Sequence, residues 1–265
     1  MRHYASVVDS GPAAGTRSAE PGGTSERGAA LTLTGVVCGS REPAPAAAPG
    51  VSLQVQPGQS VALLSQPGTT AADLVAVIGA VQRPRSGQVF VDDLAVHQLR
   101  GLELDRYRTS RGLLSTRWPL LPSLSVTDNV LAARLSRRVD AATRERASWL
   151  LSMTGAADIA AIPVGVLTAE QQWRILIARA LAQSPKLVLA DDPTSDLDPS
   201  SATKVLDLLM ELHALLGFTL LTSISRVASA TRYQRLVRMR DGAVVEDQLI
   251  AGDDVWTRGR VDRIG

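Results

Sequence analysis

Leu187-Val188-Leu189-Ala190-Asp191-Asp192-Pro193-Thr194-Ser195-Asp196-Leu197-Asp198 is a four-residue apolar run that ends on two carboxylates and then turns. A run without polar alternation reads as a strand buried on both faces, as in parallel sheets covered by helices. Asp191 is then delivered to the carboxyl edge of the sheet, where open α/β folds bind their ligands. Nucleotide-dependent enzymes use such a carboxylate to hold Mg²⁺, while a second acidic residue polarises a water. A buried strand and a capped helix would account for four apolar residues and one Asp; the full string through Asp198 is more specific.

The string comes last in an ordered series of landmarks. Before it stand the octet Ser65-Gln66-Pro67-Gly68-Thr69-Thr70-Ala71-Ala72, then Arg83-Pro84-Arg85-Ser86-Gly87-Gln88-Val89. Next come Leu120-Leu121-Pro122-Ser123-Leu124-Ser125-Val126-Thr127-Asp128-Asn129-Val130, Leu167-Thr168-Ala169-Glu170-Gln171-Gln172-Trp173-Arg174 and Ala178-Arg179-Ala180-Leu181. In this order, over roughly residues 30–247, the chain resembles the ATP-binding cassette (ABC) ATPases, closest to the branch serving lipoprotein-release, macrolide-export and cell-division permeases. The resemblance implies an α/β protein with the ABC-type P-loop NTPase fold. Its mixed central sheet, antiparallel β subdomain and inserted helical subdomain (about 118–182) would lie within residues 30–252. It also implies ATP and Mg²⁺ as cofactors if nucleotide binding survives, and none if it does not, with an integral-membrane permease and a second cassette, in a homo- or heterodimer, as partners. The location implied is cytoplasmic, peripheral on the inner face of the cell membrane.

At the phosphate-contacting positions the chain departs from the family. The pattern G-x-x-x-x-G-K-[ST] works because glycines let the backbone wrap phosphates, the Lys neutralises charge and the hydroxyl binds Mg²⁺. Here Ser65, Gly68, Thr69, Thr70, Ala71 and Ala72 fill that loop, with Ala71 at the Lys position and Ala72 at the hydroxyl position. A charge-assisted hydrogen bond is worth roughly 1.5–3 kcal/mol, so loss of the Lys alone weakens nucleotide binding by about one to two orders of magnitude. Asp73 follows in the first helical turn, where a carboxylate suits the helix dipole and repels a phosphate.

The other motifs shift in the same direction. Thr116 stands at the family's γ-phosphate-sensing Gln, and with Asp191 it forms the candidate metal set. The signature loop that clasps the opposing subunit's nucleotide reads Thr168, Ala169, Glu170 and Gln171, with a carboxylate near the γ-phosphate position. Asp192 takes the place of the catalytic Glu and Ser225 that of the switch His, while Cys38 aligns roughly with the adenine-stacking aromatic. A one-methylene retraction at Asp192 exceeds the ~0.5 Å tolerance of a catalytic constellation. The expectation is a degenerate cassette with little or no hydrolysis, acting as scaffold or regulator. The alternative is an active ATPase that powers export.

Composition agrees with one large α/β domain. The chain has 265 residues and a formal net charge of +2, with a pI near 9.0. Of its 28 basic residues only Lys186 and Lys204 are lysines, and the arginines are scattered with few aromatics, which argues against a nucleic-acid partner. Arg134, Arg137, Arg138, Arg144 and Arg146 read as a solvated helix face. Residues 1–29 read as a disordered extension without a secretory signal, and residues 253–265 as a weakly defined tail. No run approaches 18 apolar residues, and the lone Cys38 excludes an internal disulfide.

Periodicity predicts strands over 31–36, 51–55, 59–64, 87–91, 187–190 and 218–223, and a hairpin across Asp241-Gly242. Helices are predicted over 71–80, 128–138, 141–154, 171–183 and 200–216. The last should bury Val205, Leu208, Leu209, Leu212, Leu215 and Leu216. Trp118, in a Pro-flanked loop, reads as an exposed interface anchor.

Overall fold

The computed structural model describes residues 28–39, 50–65, 70–132 and 139–250. The tail, most of the N-terminal extension and Arg134, Arg137 and Arg138 lie outside them. So do Gln66, Pro67, Gly68, Thr69 and the side chain of Thr70.

Strands β1 (Leu31–Val37) and β2 (Val51–Val55) pair antiparallel. In β2 every second residue is buried, the mark of a sheet with one wet face. β3 (Ser60–Leu64) is buried throughout and leads toward α1 (Thr70–Ile78). β4 (Ser86–Val91) and β5 (Leu94–Ala95) complete a four-stranded antiparallel sheet in the order β2-β1-β4-β5. The chain continues through α2 (Gly101–Ser110), β6 (Gly112–Leu114), α3 (Val126–Leu131), α4 (Ala141–Met153) and α5 (Ala169–Leu181). β7 (Leu187–Asp191), α6 (Pro199–Leu216), β8 (Thr219–Ile224), β9 (Arg235–Arg240) and β10 (Ala243–Leu249) follow.

The second sheet has the order β10-β9-β3-β8-β7-β6 and is parallel except for the β9–β10 hairpin. Asp241 and Gly242 turn that hairpin at φ 50° and 79°, as a type I′ turn requires. β7 is buried on both faces: Val188 and Ala190 enter one apolar cluster with Trp173, Ile177 and Leu209, and Leu187 and Leu189 enter the other with Leu31, Leu74 and Leu221. α6 carries full helix punctuation. The Asp198 carboxylate accepts from the Ser200 and Ser201 amides, Pro199 opens the first turn, and Gly217 at φ 70° ends the helix.

Several expectations need correction. α1 stops at Ile78 because α2, which the sequence did not announce, takes over its carboxyl end. Tyr107 Oη donates to Ile78 O (2.7 Å), Arg111 Nε to Gly79 O (2.6 Å) and Arg108 Nε to Ala80 O (3.0 Å). Val205, Leu209, Leu212 and Leu216 of α6 are buried as expected, but Leu208 is only partly buried and Leu215 is 54 % exposed, while Leu206, Met210 and His213 join the buried face. Arg146 is buried rather than solvated: its Nε donates to Leu181 O (3.2 Å) and its guanidinium lies 5.9 Å from the Trp149 ring centre. Gly28 and Ala29, placed with the extension, donate their amides to Gly217 O and Lys186 O. Among the described residues, no helix is long and apolar enough to cross a membrane.

Candidate functional site

The register of the parallel sheet gathers the candidate residues. Leu64 pairs with Ile224, Asp191 with Ser223 and Leu114 with Ala190, so the residues after β3, β6, β7 and β8 emerge along one carboxyl edge. Ser65 N donates to Ile224 O (3.4 Å), and Asp192 N to Ser223 O (3.1 Å) and Ser223 Oγ (3.0 Å). Ser65, Asp191, Asp192 and Ser225 thus share that edge, close to the start of α1.

Asp191 sits at its centre with both carboxylate oxygens engaged. Oδ1 accepts from Ser223 Oγ (2.9 Å); Oδ2 accepts from Ser115 Oγ (3.3 Å) and lies 3.3 Å from Arg117 Nε. Asp192 is held at φ +40°, a left-handed conformation that Asp tolerates better than most residues. Burial pushes its carboxyl above the usual range, a hydrogen bond to the Ser225 side chain opposes this, and the neighbouring Asp191 charge reinforces the rise. The base and switch positions are therefore in contact, as Asp192 and Ser225.

The first turn of α1 offers no cation and no hydroxyl after position 70. Ala71 is 1 % exposed and packs with Leu74 and Val75, Ala72 ends in a methyl, and Asp73 is the turn's acidic residue. Cys38 lies near it: burial lifts its thiol to about 12, and the Asp73 charge adds to the rise.

The signature residues lie at the start of α5. Thr168 Oγ1 accepts from Gln171 N (3.3 Å) and Gln171 Oε1 accepts from Thr168 N (3.0 Å), a reciprocal capping box. Ala169 is exposed. The Glu170 carboxylate accepts from Arg174 Nη2 (2.9 Å), Ser201 Oγ (3.1 Å) and Lys204 Nζ (3.4 Å). Partial burial works against the charge, yet those hydrogen bonds and charges hold its carboxyl below the ordinary value. Trp173, fully buried, donates from Nε1 to Asp196 Oδ1 (3.0 Å) and ties α5 to the turn after β7.

The candidate metal pair is not assembled. Thr116 is exposed, and Ser115 and Arg117 on either side of it are the residues that reach Asp191, because Arg117 N donates back to Ser115 Oγ (3.2 Å). Magnesium demands octahedral oxygen ligation at about 2.0–2.1 Å. Position 72 supplies no oxygen, Asp191 is already committed to two hydroxyls and a guanidinium, and the described residues contain no cluster of three or more His, Cys, Asp or Glu suited to a metal. Among the described residues, this set does not fit a Mg²⁺ ion. Arg117, Ser115 and Ser223 escaped the motif reading, because the strand β6 that delivers Ser115 to the edge was not among the expected strands.

Trp118 is half-buried rather than a free anchor. It lines a cleft of about 590 Å³ with Arg111, Leu113 and Arg179. Arg179 fixes the loop by donating to Trp118 O (2.5 Å) and Pro119 O (3.0 Å).

Comparison with known proteins agrees with this architecture. A family model described as ABC transporter matches residues 49–195. The phosphonates import ATP-binding protein PhnC of Rhizobium etli is 34 % identical over 74 % of this chain and 74 % of its own length. The lipoprotein-releasing system ATP-binding protein LolD of Roseobacter denitrificans is 34 % identical over 73 % of this chain and 86 % of its own. Relatives thus extend beyond the export and release systems to import. The ATP-binding cassette MJ0796, solved as a dimer with ADP and Pi, superposes with a TM-score of 0.73 at 26 % identity, covering 84 % of this chain and 99 % of that one. With sequence and fold in accord across most of its length, the chain belongs to the ATP-binding cassette family of ABC transporters.

Proposed function

We propose that this protein is a cassette subunit that docks on an integral-membrane permease and pairs with a second cassette, while hydrolysing ATP little or not at all. It acts there as scaffold or regulator, in the cytoplasm at the inner face of the cell membrane. The observation that carries this reading is the first turn of α1, where buried Ala71 and methyl-ended Ala72 stand in place of the amine and the metal-binding hydroxyl that the family's P-loop uses in hydrolysis. The signature side adds support: Glu170 is spent on Arg174, Ser201 and Lys204. In a cassette pair each nucleotide is shared between the P-loop of one subunit and the signature of the other, so this chain is altered on both faces.

The alternative, an active ATPase, draws on the contact between Asp192 and Ser225, which keeps a carboxyl and a hydroxyl together at the edge of the sheet. Phosphate release by the purified protein with ATP and Mg²⁺ separates the two. Turnover at an ordinary cassette rate that Asp191→Ala abolishes would establish the active reading; a rate that Asp191→Ala leaves unchanged supports the scaffold. The transported substrate belongs to the permease, and the relatives already include a phosphonates import protein and a lipoprotein-releasing one.

A further inference from the structure

We propose that Arg117 is the resident cation of this site: its guanidinium stands beside Asp191 where a divalent ion would otherwise sit, so a nucleoside triphosphate is met there by an arginine and bound without Mg²⁺. The proposal deepens the reading of the site as non-hydrolysing and rests on it.

Three observations carry it. Arg117 Nε lies 3.3 Å from Asp191 Oδ2, on a carboxylate whose side chain is only 14 % exposed and whose other contacts are two serine hydroxyls. A buried carboxylate needs a counter-charge, and within the described residues Arg117 supplies it. Second, the placement is built rather than incidental. Ser115, 1 % exposed, accepts from Arg117 N and donates to Asp191, and its carbonyl accepts from Trp118 N (3.3 Å). Arg179 grips the carbonyls of Trp118 and Pro119 just beyond. The turn carrying Arg117 is therefore held at both ends. Third, among the described residues position 72 offers a metal no side-chain oxygen, because it is Ala, and Thr116 beside Arg117 is exposed.

Guanidinium chemistry suits the role. It stays charged at any working pH and presents several donors in a rigid fork that matches phosphate oxygens. Contact with Asp191 through Nε leaves the terminal nitrogens for such a ligand, and the side chain is 47 % exposed, within reach of one. Unlike Mg²⁺, the cation cannot dissociate, so affinity does not follow the free metal concentration. Asp191 partly neutralises that charge and therefore weakens anion binding, the reverse of a carboxylate that ligates metal.

The test is a calorimetric titration of the full chain with ATP, in Mg²⁺ and in excess chelator. The two affinities should agree within about twofold. Arg117→Gln should weaken binding in chelator by about tenfold, Arg117→Lys, which keeps the charge and loses the fork, should recover only part of it, and Asp191→Asn should tighten it by about fivefold. A wild-type affinity raised tenfold or more by Mg²⁺ overturns the proposal. So does absence of ATP binding in both buffers, indifference to Arg117→Gln in chelator, or an Asp191→Asn variant that binds no tighter. Phosphate release is followed in the same samples: turnover would defeat the non-hydrolysing reading, whereas the ratio of the two affinities decides the role of Arg117.

Discussion

Helices α1 and α5 both begin where cassettes of this family meet nucleotide phosphates, and we read them as departing from the family pattern by opposite routes. At α1 the amine and the hydroxyl are absent from positions 71 and 72: Ala71 is buried, Ala72 ends in a methyl, and Asp73 brings a carboxylate to the first turn. At α5 the polar groups are present but turned inward. Thr168 and Gln171 cap each other, and Glu170 is bound to Arg174, Ser201 and Lys204. One site is altered by subtraction, the other by self-satisfaction. Subtraction is reversible by adding side chains; self-satisfaction requires dismantling a network that also serves the fold.

The largest effect that would sharpen this contrast lies on the α5 side. Trp173→Ala should destabilise the protein by about 3–5 kcal/mol in chemical denaturation, since it empties a fully buried position and frees Asp196. Trp173→Phe keeps most of the packing and should cost only about 1 kcal/mol. Near-equal losses would mean that the hydrogen bond, not the packing, anchors α5. At α1 the combination Ala71→Lys, Ala72→Ser and Asp73→Thr should tighten ATP binding by about 10- to 100-fold in calorimetry. Unchanged affinity would break the comparison, because subtraction would then not be the cause.

Smaller effects concern the cap. Thr168→Ala should cost about 1 kcal/mol of stability, whereas Ala72→Ser should change it by less than about 0.5 kcal/mol. Glu170→Gln gives the mildest signal, visible in its pH dependence. The folded-state carboxyl titrates below its ordinary 4.5, so its stabilising contribution is complete above that value and fades as pH falls through the lowered one. The stability difference between wild type and Glu170→Gln should thus be flat near neutrality and shrink in acid. A difference that grew on acidification would show the carboxylate to be unpaired.

Legibility in the sequence followed chemistry that acts locally. β7 was plain because four apolar residues had no polar neighbour to alternate with, and α6 because Asp198, Pro199 and Gly217 punctuate its ends. The hairpin followed from Asp241-Gly242. What was not legible depends on partners distant in sequence. α2 buries only Tyr107 and carries almost no apolar stripe; its role is to take the carbonyls at the end of α1. Arg146 looked solvated until its acceptor, Leu181 O, arrived from α5. At the site, the alignment directed attention to Thr116, and only the fold shows that the flanking Ser115 and Arg117 reach Asp191. The capping box at Thr168 and Gln171 was written in the sequence, but the signature reading masked it.

Arg179 gives α5 a mechanical meaning. The helix is a strut of 13 residues, about 20 Å long. Its first turn carries the signature residues, and near its other end Arg179 grips two carbonyls of the turn that bears Arg117. One side chain therefore joins the turn beside Asp191 to the helix whose opposite end is capped by Thr168. The loop beside Asp191 and the start of α5 are thus the two ends of one continuous element, whether or not any phosphate bond is ever cut.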